Sequence, residues 1–371
     1  MKKWSFKIAL LLFCLLLIPT TSVFATEKES LEKFSGTEDL WKQVPEDLDA
    51  DALRELLEEK DTGSFTQKLW DGILSLFSLG IKDGIHLFAK LFALLLFAAL
   101  YRSLKDSFKI TGGENAFQFL FHLCLSLTCF SALQSCISIA NTSLKTVSTF
   151  FIASLPVTTV LLTLSGAPTA GATMASSINL TLGAVSTFVS PCLSGILNTL
   201  FAFTMVDGIL DGGLSSFLAF LKKCVKVLCI LFFTLITASL ALKSALATAA
   251  DSVAMRSVRF AAGNFIPIVG SLVGESAKTL TAAFTAVKAE CGILCILILV
   301  FVLLRPILCI AVQKLFLGLA GSFAEIVGEK QIQGFLKSLS GLLDLLMALL
   351  ISQGCYLIFY ITLFITNRGS L

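Results

Sequence analysis

Along this chain, apolar and polar positions alternate in blocks much longer than those of a soluble fold. Beyond residue 84 the apolar blocks run to about 20 residues, the length that crosses a hydrocarbon core of roughly 30 Å. Blocks of this kind lie at about 84–104, 116–140, 147–165, 227–249, 291–311 and 342–366. A further block, 172–206, is too long for one simple span. Pro191, with Ser190 before it and Gly195 after it, divides that block into two short spans or one broken helix. The pattern predicts an all-α polytopic membrane protein with seven or eight transmembrane helices.

Amphipathic segments flank these spans. Phe65, Leu69, Ile73 and Leu76 recur at helical spacing opposite Gln67, Lys68, Asp71 and Ser75, which predicts a helix lying in the membrane interface and leading into the first span. Leu280, Phe284 and Val287 form a similar stripe, suited to the membrane surface or a subunit contact. Residues 318–337, with Glu325, Glu329, Lys330 and Lys337, read the same way on the other side. Within residues 47–60, Leu48, Leu53, Leu56 and Leu57 make a short amphipathic helix. It is either part of a solvated arm or a docking helix for an extracytoplasmic partner.

Composition agrees with lipid as the main solvent. Of 371 residues, 56% are hydrophobic and only 14% charged, against about 25% charged in soluble domains. The net charge of +3 conceals three regions. Residues 1–25 carry Lys2, Lys3 and Lys7 ahead of an apolar run from Ile8 to Ile18 and a small-residue end at Ala25, the pattern of a cleavable signal peptide. An uncleaved first anchor is the other reading. Residues 26–63 hold 13 acids and 5 bases, and the remainder holds 12 acids and 20 bases. The expected organisation is a signal peptide at 1–25, an exported acidic arm and interfacial helix at 26–83, and a multi-span domain at 84–371. Arg102, Lys105 and Lys109 fit a cytoplasmic loop, as do Lys222, Lys223 and Lys226. If every span crosses, 250–289 falls outside with Arg256, Arg259, Lys278 and Lys288, against the usual charge bias.

One re-entrant segment would change that parity. Gly263-Asn264-Phe265-Ile266-Pro267-Ile268-Val269-Gly270 is the best candidate: apolar, too short to cross and broken by glycine and proline. Irregular backbone at membrane depth survives where protein or water satisfies it. Gly263, Asn264, Pro267 and Gly270 are therefore candidate gating residues, together with Pro156, which interrupts the third span.

Side chains that carry chemistry are sparse. The histidines, His86 and His122, stand far apart, and no cysteine–histidine set has metal-ligand spacing. Nucleophile, zinc-protease and phosphate-loop motifs are absent, so neither an enzyme, a metal site nor a cofactor is expected. Asp207 and Asp211, four apart, could pair on a helical face or belong to a solvated turn among Gly208, Gly212 and Gly213. Arg305 and Asp344 sit in apolar surroundings and could pair across two helices, or each could reach an interface. Lys90 and Lys243 read as snorkelling side chains.

The run from Arg256-Ser257-Val258-Arg259 through Asn264-Phe265-Ile266-Pro267 to Gly270 resembles the signature region of the stage III sporulation protein AE family of endospore-forming Firmicutes. Ala153-Ser154-Leu155-Pro156, with Leu161 to Gly166 after it, resembles that family's proline-containing span. The leader, acidic arm and later spans agree in order, and the resemblance covers about residues 65–366. The ten cysteines after the leader are a departure from it. The resemblance implies a multi-pass protein of the mother-cell membrane around the forespore, its mature N-terminal arm extracytoplasmic. Its role would be core or scaffold of the sporulation channel complex, supporting forespore development. Implied partners are the other membrane proteins of that complex, a separate ATPase and further copies of the chain, with no nucleic acid. A stand-alone secondary transporter or permease, and a purely structural membrane anchor, are the rival readings.

Overall fold

The computed structural model describes residues 62–108, 114–209, 213–265 and 270–367. The signal peptide and the arm up to residue 61 lie outside the described residues. Among the described residues, seven α-helices follow one another: α1 (Thr62–Phe108), α2 (Glu114–Leu164), α3 (Pro168–Ala184), α4 (Ser190–Ile209), α5 (Ser215–Phe265), α6 (Gly270–Val327) and α7 (Lys330–Thr366). A five-residue π segment, Val185–Val189, joins α3 to α4. Six helical stretches among these residues are long and apolar enough to cross a membrane, α3 and α4 counting as one.

One expected boundary is absent, and one open alternative is decided, each for a physical reason. Residues 116–140 and 147–165 belong to a single 51-residue helix, α2. The polar stretch that suggested a loop, Asn141 to Thr146, stays helical, with Asn141 bonded to Ser190 and Ser194 on a neighbouring helix. The 172–206 block is one broken helix. Pro191 has no N–H for the carbonyl of Thr187, four residues back, and the backbone widens into the π segment immediately before it. The amphipathic stretch at 65–76 runs on into the first span within α1.

The helices form an up-down bundle with two ends. Gly328 (φ 87°) closes α6 at the near end, where Glu329 N–H reaches back to Ala324 O at 2.8 Å. The start of α2 and the α4–α5 turn lie at this end too, since His122 packs beside Gly208 and Phe201 faces Phe335. Gly166 (φ 85°) turns α2 into α3 at the far end, where α5, α6 and the last residue of α7 converge. At a rise of 1.5 Å per residue, the 37 residues of α7 span about 55 Å, more than a hydrocarbon core.

The core is apolar and centred on α7, which packs against α6, α5, α4 and α2 and buries Leu339, Leu342, Leu346, Leu350 and Leu357. α1 runs alongside α6, where glycine permits close approach. A Cβ on Gly84 would stand 2.8 Å from Val312 Cγ1. Phe88 then packs at a tilt on Phe316, and Phe92 meets Phe323 edge-on. α5 is the least covered helix, with Phe217, Phe220, Leu228, Leu235, Leu242 and Leu246 all exposed.

Candidate functional site

Around the middle of the bundle a layer of uncharged polar contacts joins the helices, buried at Cys136 and Tyr356 and part-buried or exposed at Asn141 and Gln134. Asn141 on α2 donates from Nδ2 to Ser194 Oγ on α4 at 3.1 Å, and its Oδ1 accepts from Ser190 Oγ. Two turns nearer the start of α2, Gln134 Nε2 donates to Asn198 Oδ1 at 2.6 Å. Cys136 Sγ donates to Gln313 Oε1 of α6 at 2.9 Å, and Tyr356 of α7 donates to Thr181 of α3 at 3.0 Å. Gln353, one turn before Tyr356, is 0% exposed, and neither atom of its amide has a hydrogen-bond partner among the described residues. The π segment lies beside this layer. Interhelical hydrogen bonds in membranes contribute about 0.6 kcal/mol each, so several together set the register of α2 on α4.

A charged network closes the far end. α3 begins at Pro168 without a side-chain cap of its own. Asp251 of α5, 2% exposed, supplies one in its place. Its Oδ1 accepts from Thr169 N and its Oδ2 from Ala170 N, each at 2.9 Å. A carboxylate there meets the positive end of the α3 dipole. Lys288 of α6 is 0% exposed and donates to the backbone O of Asn367, at the negative end of α7. Asn367 completes the link: its Nδ2 donates to Ser244 Oγ at 2.8 Å, and its Oδ1 accepts from Thr248 Oγ1 at 3.0 Å. Two buried charges of opposite sign thus each complete a helix terminus.

Near-end charges are also engaged. Asp207, buried, accepts the N–H of Leu214 at 2.7 Å and so shapes the α4–α5 turn. Lys222 crosses from α5 to donate to Ser338 O at 2.7 Å and Ser338 Oγ at 2.5 Å. His122 is buried, with Nδ1 donating to Gln118 O at 3.1 Å and Nε2 left without a partner among the described residues. It lines a small cleft with Gln118, Glu329, Gln331 and Phe117.

The residues singled out from sequence fare differently. Asp344 pairs with Lys314, not with Arg305: Lys314 lies level with Asp344 across the α6–α7 hairpin, and Arg305 lies more than two turns farther along α6, exposed. The Asp207 carboxylate serves its own turn, and Asp211 lies outside the described residues. Pro156 sits on the exposed side of α2, which continues through it. Gly263 and Asn264 fall in the last turn of α5 and Gly270 opens α6, while Pro267 lies outside the described residues. Among the described residues none of the ten cysteines from Cys124 to Cys355 forms a disulfide, and five of them are buried. Among the described residues no group of three or more His, Cys, Asp or Glu side chains is placed to hold a metal ion. Sequence reasoning missed Asp251, Asn141 and Gln353. The usable signal was an acid or amide inside an otherwise apolar or small-residue span.

Residues 49–367 match the stage III sporulation protein AE family. The chain belongs to that family. A curated member, stage III sporulation protein AE of Bacillus subtilis (strain 168), is 20% identical over 269 residues, covering 71% of this chain and 67% of that protein. No solved structure matches. The family match takes in all seven described helices, so the mid-bundle layer and the far-end network both belong to the family's shared region.

Proposed function

We propose that this chain is the membrane core of the sporulation channel complex linking mother cell and forespore. Family membership supports a role in sporulation, and the apolar bundle supports a seat in the membrane. The observation that carries the finer reading is the mid-bundle polar layer. Amides and hydroxyls at membrane depth cost free energy unless paired, and a passive anchor could hold its helices together with apolar and small-residue packing instead. Asn141, Ser190, Ser194, Gln134 and Asn198 are what a membrane conduit would keep there.

In this reading the near end faces the mother-cell cytoplasm, because Lys222, Lys223, Lys226, Lys330 and Lys337 cluster towards it. Six crossings then put the acidic arm, the 250–289 segment and the C-terminus together in the intermembrane space. Lys288 does not weigh against this orientation, being a buried helix-end cation instead of a loop charge. A stand-alone permease is less well supported, since it needs an ionisable path: Asp207 shapes a turn and Asp344 is held by Lys314.

The test is affinity capture of the tagged chain from sporulating cells, with deletion of its gene alongside. The expected result is co-isolation of an ATPase and other membrane proteins, and arrest of forespore development on deletion. Normal spores from the deletion strain would overturn the proposal.

A further inference from the structure

From Ser131 to Thr149, every exposed position of α2 is polar: Ser131, Ser135, Ser138, Thr142, Lys145 and Thr149, spaced alternately four and three apart. That spacing is one face of one helix. It extends about 27 Å, close to the thickness of a hydrocarbon core. On either side of it the same face is apolar, with Leu127 and Phe130 before and Ile152 after.

This stripe lies at the depth where the bundle elsewhere presents leucine. Cys136 of α2 bonds to Gln313 of α6, which neighbours the Lys314–Asp344 bridge to α7, and Phe151 packs on Tyr360 of α7. α5 is tied to the same part of α7 by Lys222 at Ser338 and by Ser244 and Thr248 at Asn367. Between those ties α5 exposes mostly apolar side chains, Leu228, Leu231, Leu235 and Leu242 among them, with Ser239 and Lys243 as polar interruptions. One side of the bundle is therefore suited to lipid, and the other, at equal depth, is not.

The threonine hydroxyls follow the same division, although Ser239, exposed on α5, also makes no hydrogen bond among the described residues. Exposed Thr163, Thr234 and Thr362, on lipid-type surfaces, each donate to the carbonyl four residues back at 2.7–2.8 Å. That is how a hydroxyl is satisfied where no water reaches. Ser131, Ser135, Ser138, Thr142 and Thr149 make no hydrogen bond among the described residues. Lys145 likewise has no partner there. It stands about 6 Å inside the Thr149 end of the stripe and about 21 Å from the Ser131 end.

We infer that the Ser131–Thr149 face of α2 lines a water-filled path through the membrane, and that Lys145 makes this path favour small anions. Water satisfies the hydroxyls, and an ammonium in a narrow aqueous lumen attracts anions and repels cations. A second copy packed dry against this face about a two-fold axis would set Lys145 against Lys145, which disfavours that arrangement, whereas water satisfies the lysine and the hydroxyls together. The inference deepens the channel reading above and rests on it for the direction of transport alone.

The test places single cysteines along α2 in a cysteine-free background and reads their modification by membrane-impermeant thiol reagents in intact membranes. Positions 131, 135, 138, 142 and 149 are expected to react, while Leu235→Cys and Leu242→Cys are not. At Thr142→Cys an anionic reagent should outpace a cationic one. Lys145→Glu should reverse the preference, by roughly five-fold for each change in charge of a group about 4 Å away in water. Acylation of Lys145 in the unaltered protein by an impermeant amine reagent, read by mass spectrometry, covers the case in which the cysteine-free chain fails to fold. An unreactive stripe together with an unreactive Lys145 would overturn the inference. So would a reactive stripe with no charge preference, as regards the anions. A dry stripe in a chain still needed for sporulation would leave the channel reading standing.

Discussion

Asp251 Oδ1 accepts the backbone N–H of Thr169 at 2.9 Å, across 82 positions of sequence. With the second bond from Ala170, a side chain from α5 does for α3 what an N-cap residue normally does for its own helix. Asp251→Ala leaves two N–H groups, that of Ala170 buried and that of Thr169 part-buried, without acceptors and should cost roughly 3 kcal/mol, the order expected for losing bonds to a charged acceptor. Asp251→Asn, which keeps one acceptor oxygen, should cost less. Denaturant unfolding in detergent checks both, and equal stability of Asp251→Ala and the parent would refute the role.

The contact between Asn141 and Ser194 should appear as a coupling energy. Asn141→Ala and Ser194→Ala are each expected to destabilise, with an interaction term of about 0.6 kcal/mol and no more than about 1.7 kcal/mol in a double-mutant cycle. Additive single effects would mean that α2 and α4 are held together by apolar packing alone.

Lys314 and Asp344 bridge α6 and α7 with side chains 35% and 42% exposed. Replacing either with leucine leaves its partner as an isolated charge in an apolar setting. Each single variant should therefore lose stability, and the double variant should recover most of that loss. Unfolding midpoints of the three variants decide this. A double variant worse than both singles would contradict it.

Pro156 can be replaced at no structural cost. It lies on the exposed side of α2, and alanine there restores an N–H for the carbonyl of Ile152. Pro156→Ala should raise the unfolding midpoint, by less than the roughly 3 kcal/mol separating the two residues in a helix interior. A fall would mean that the surrounding helices require the proline.

Where hydrophobic periodicity decides structure, the chain was readable. The Leu91–Tyr101 stretch, the last span and the break at Pro191 all stand as their patterns predict. Asn141 to Thr146 misled because a polar run looks like a loop until its partners are known, and those partners, Ser190 and Ser194, come some fifty positions later. Asp344 was legible as an intramembrane charge, but its choice of Lys314 over Arg305 depends on the register of the α6–α7 hairpin. Asp251 follows an alanine-rich stretch with no local motif, and what gives it a role is the uncapped start of α3.

The most direct test of the central claim replaces Gln134 and Asn141 with leucine together and measures sporulation efficiency, with membrane levels of the chain checked by immunoblot. These two side chains join α2 to α4 at mid-depth, and leucine keeps both positions helical and apolar. The account predicts normal levels of membrane-inserted protein and loss of forespore development. Normal sporulation by that strain would contradict it.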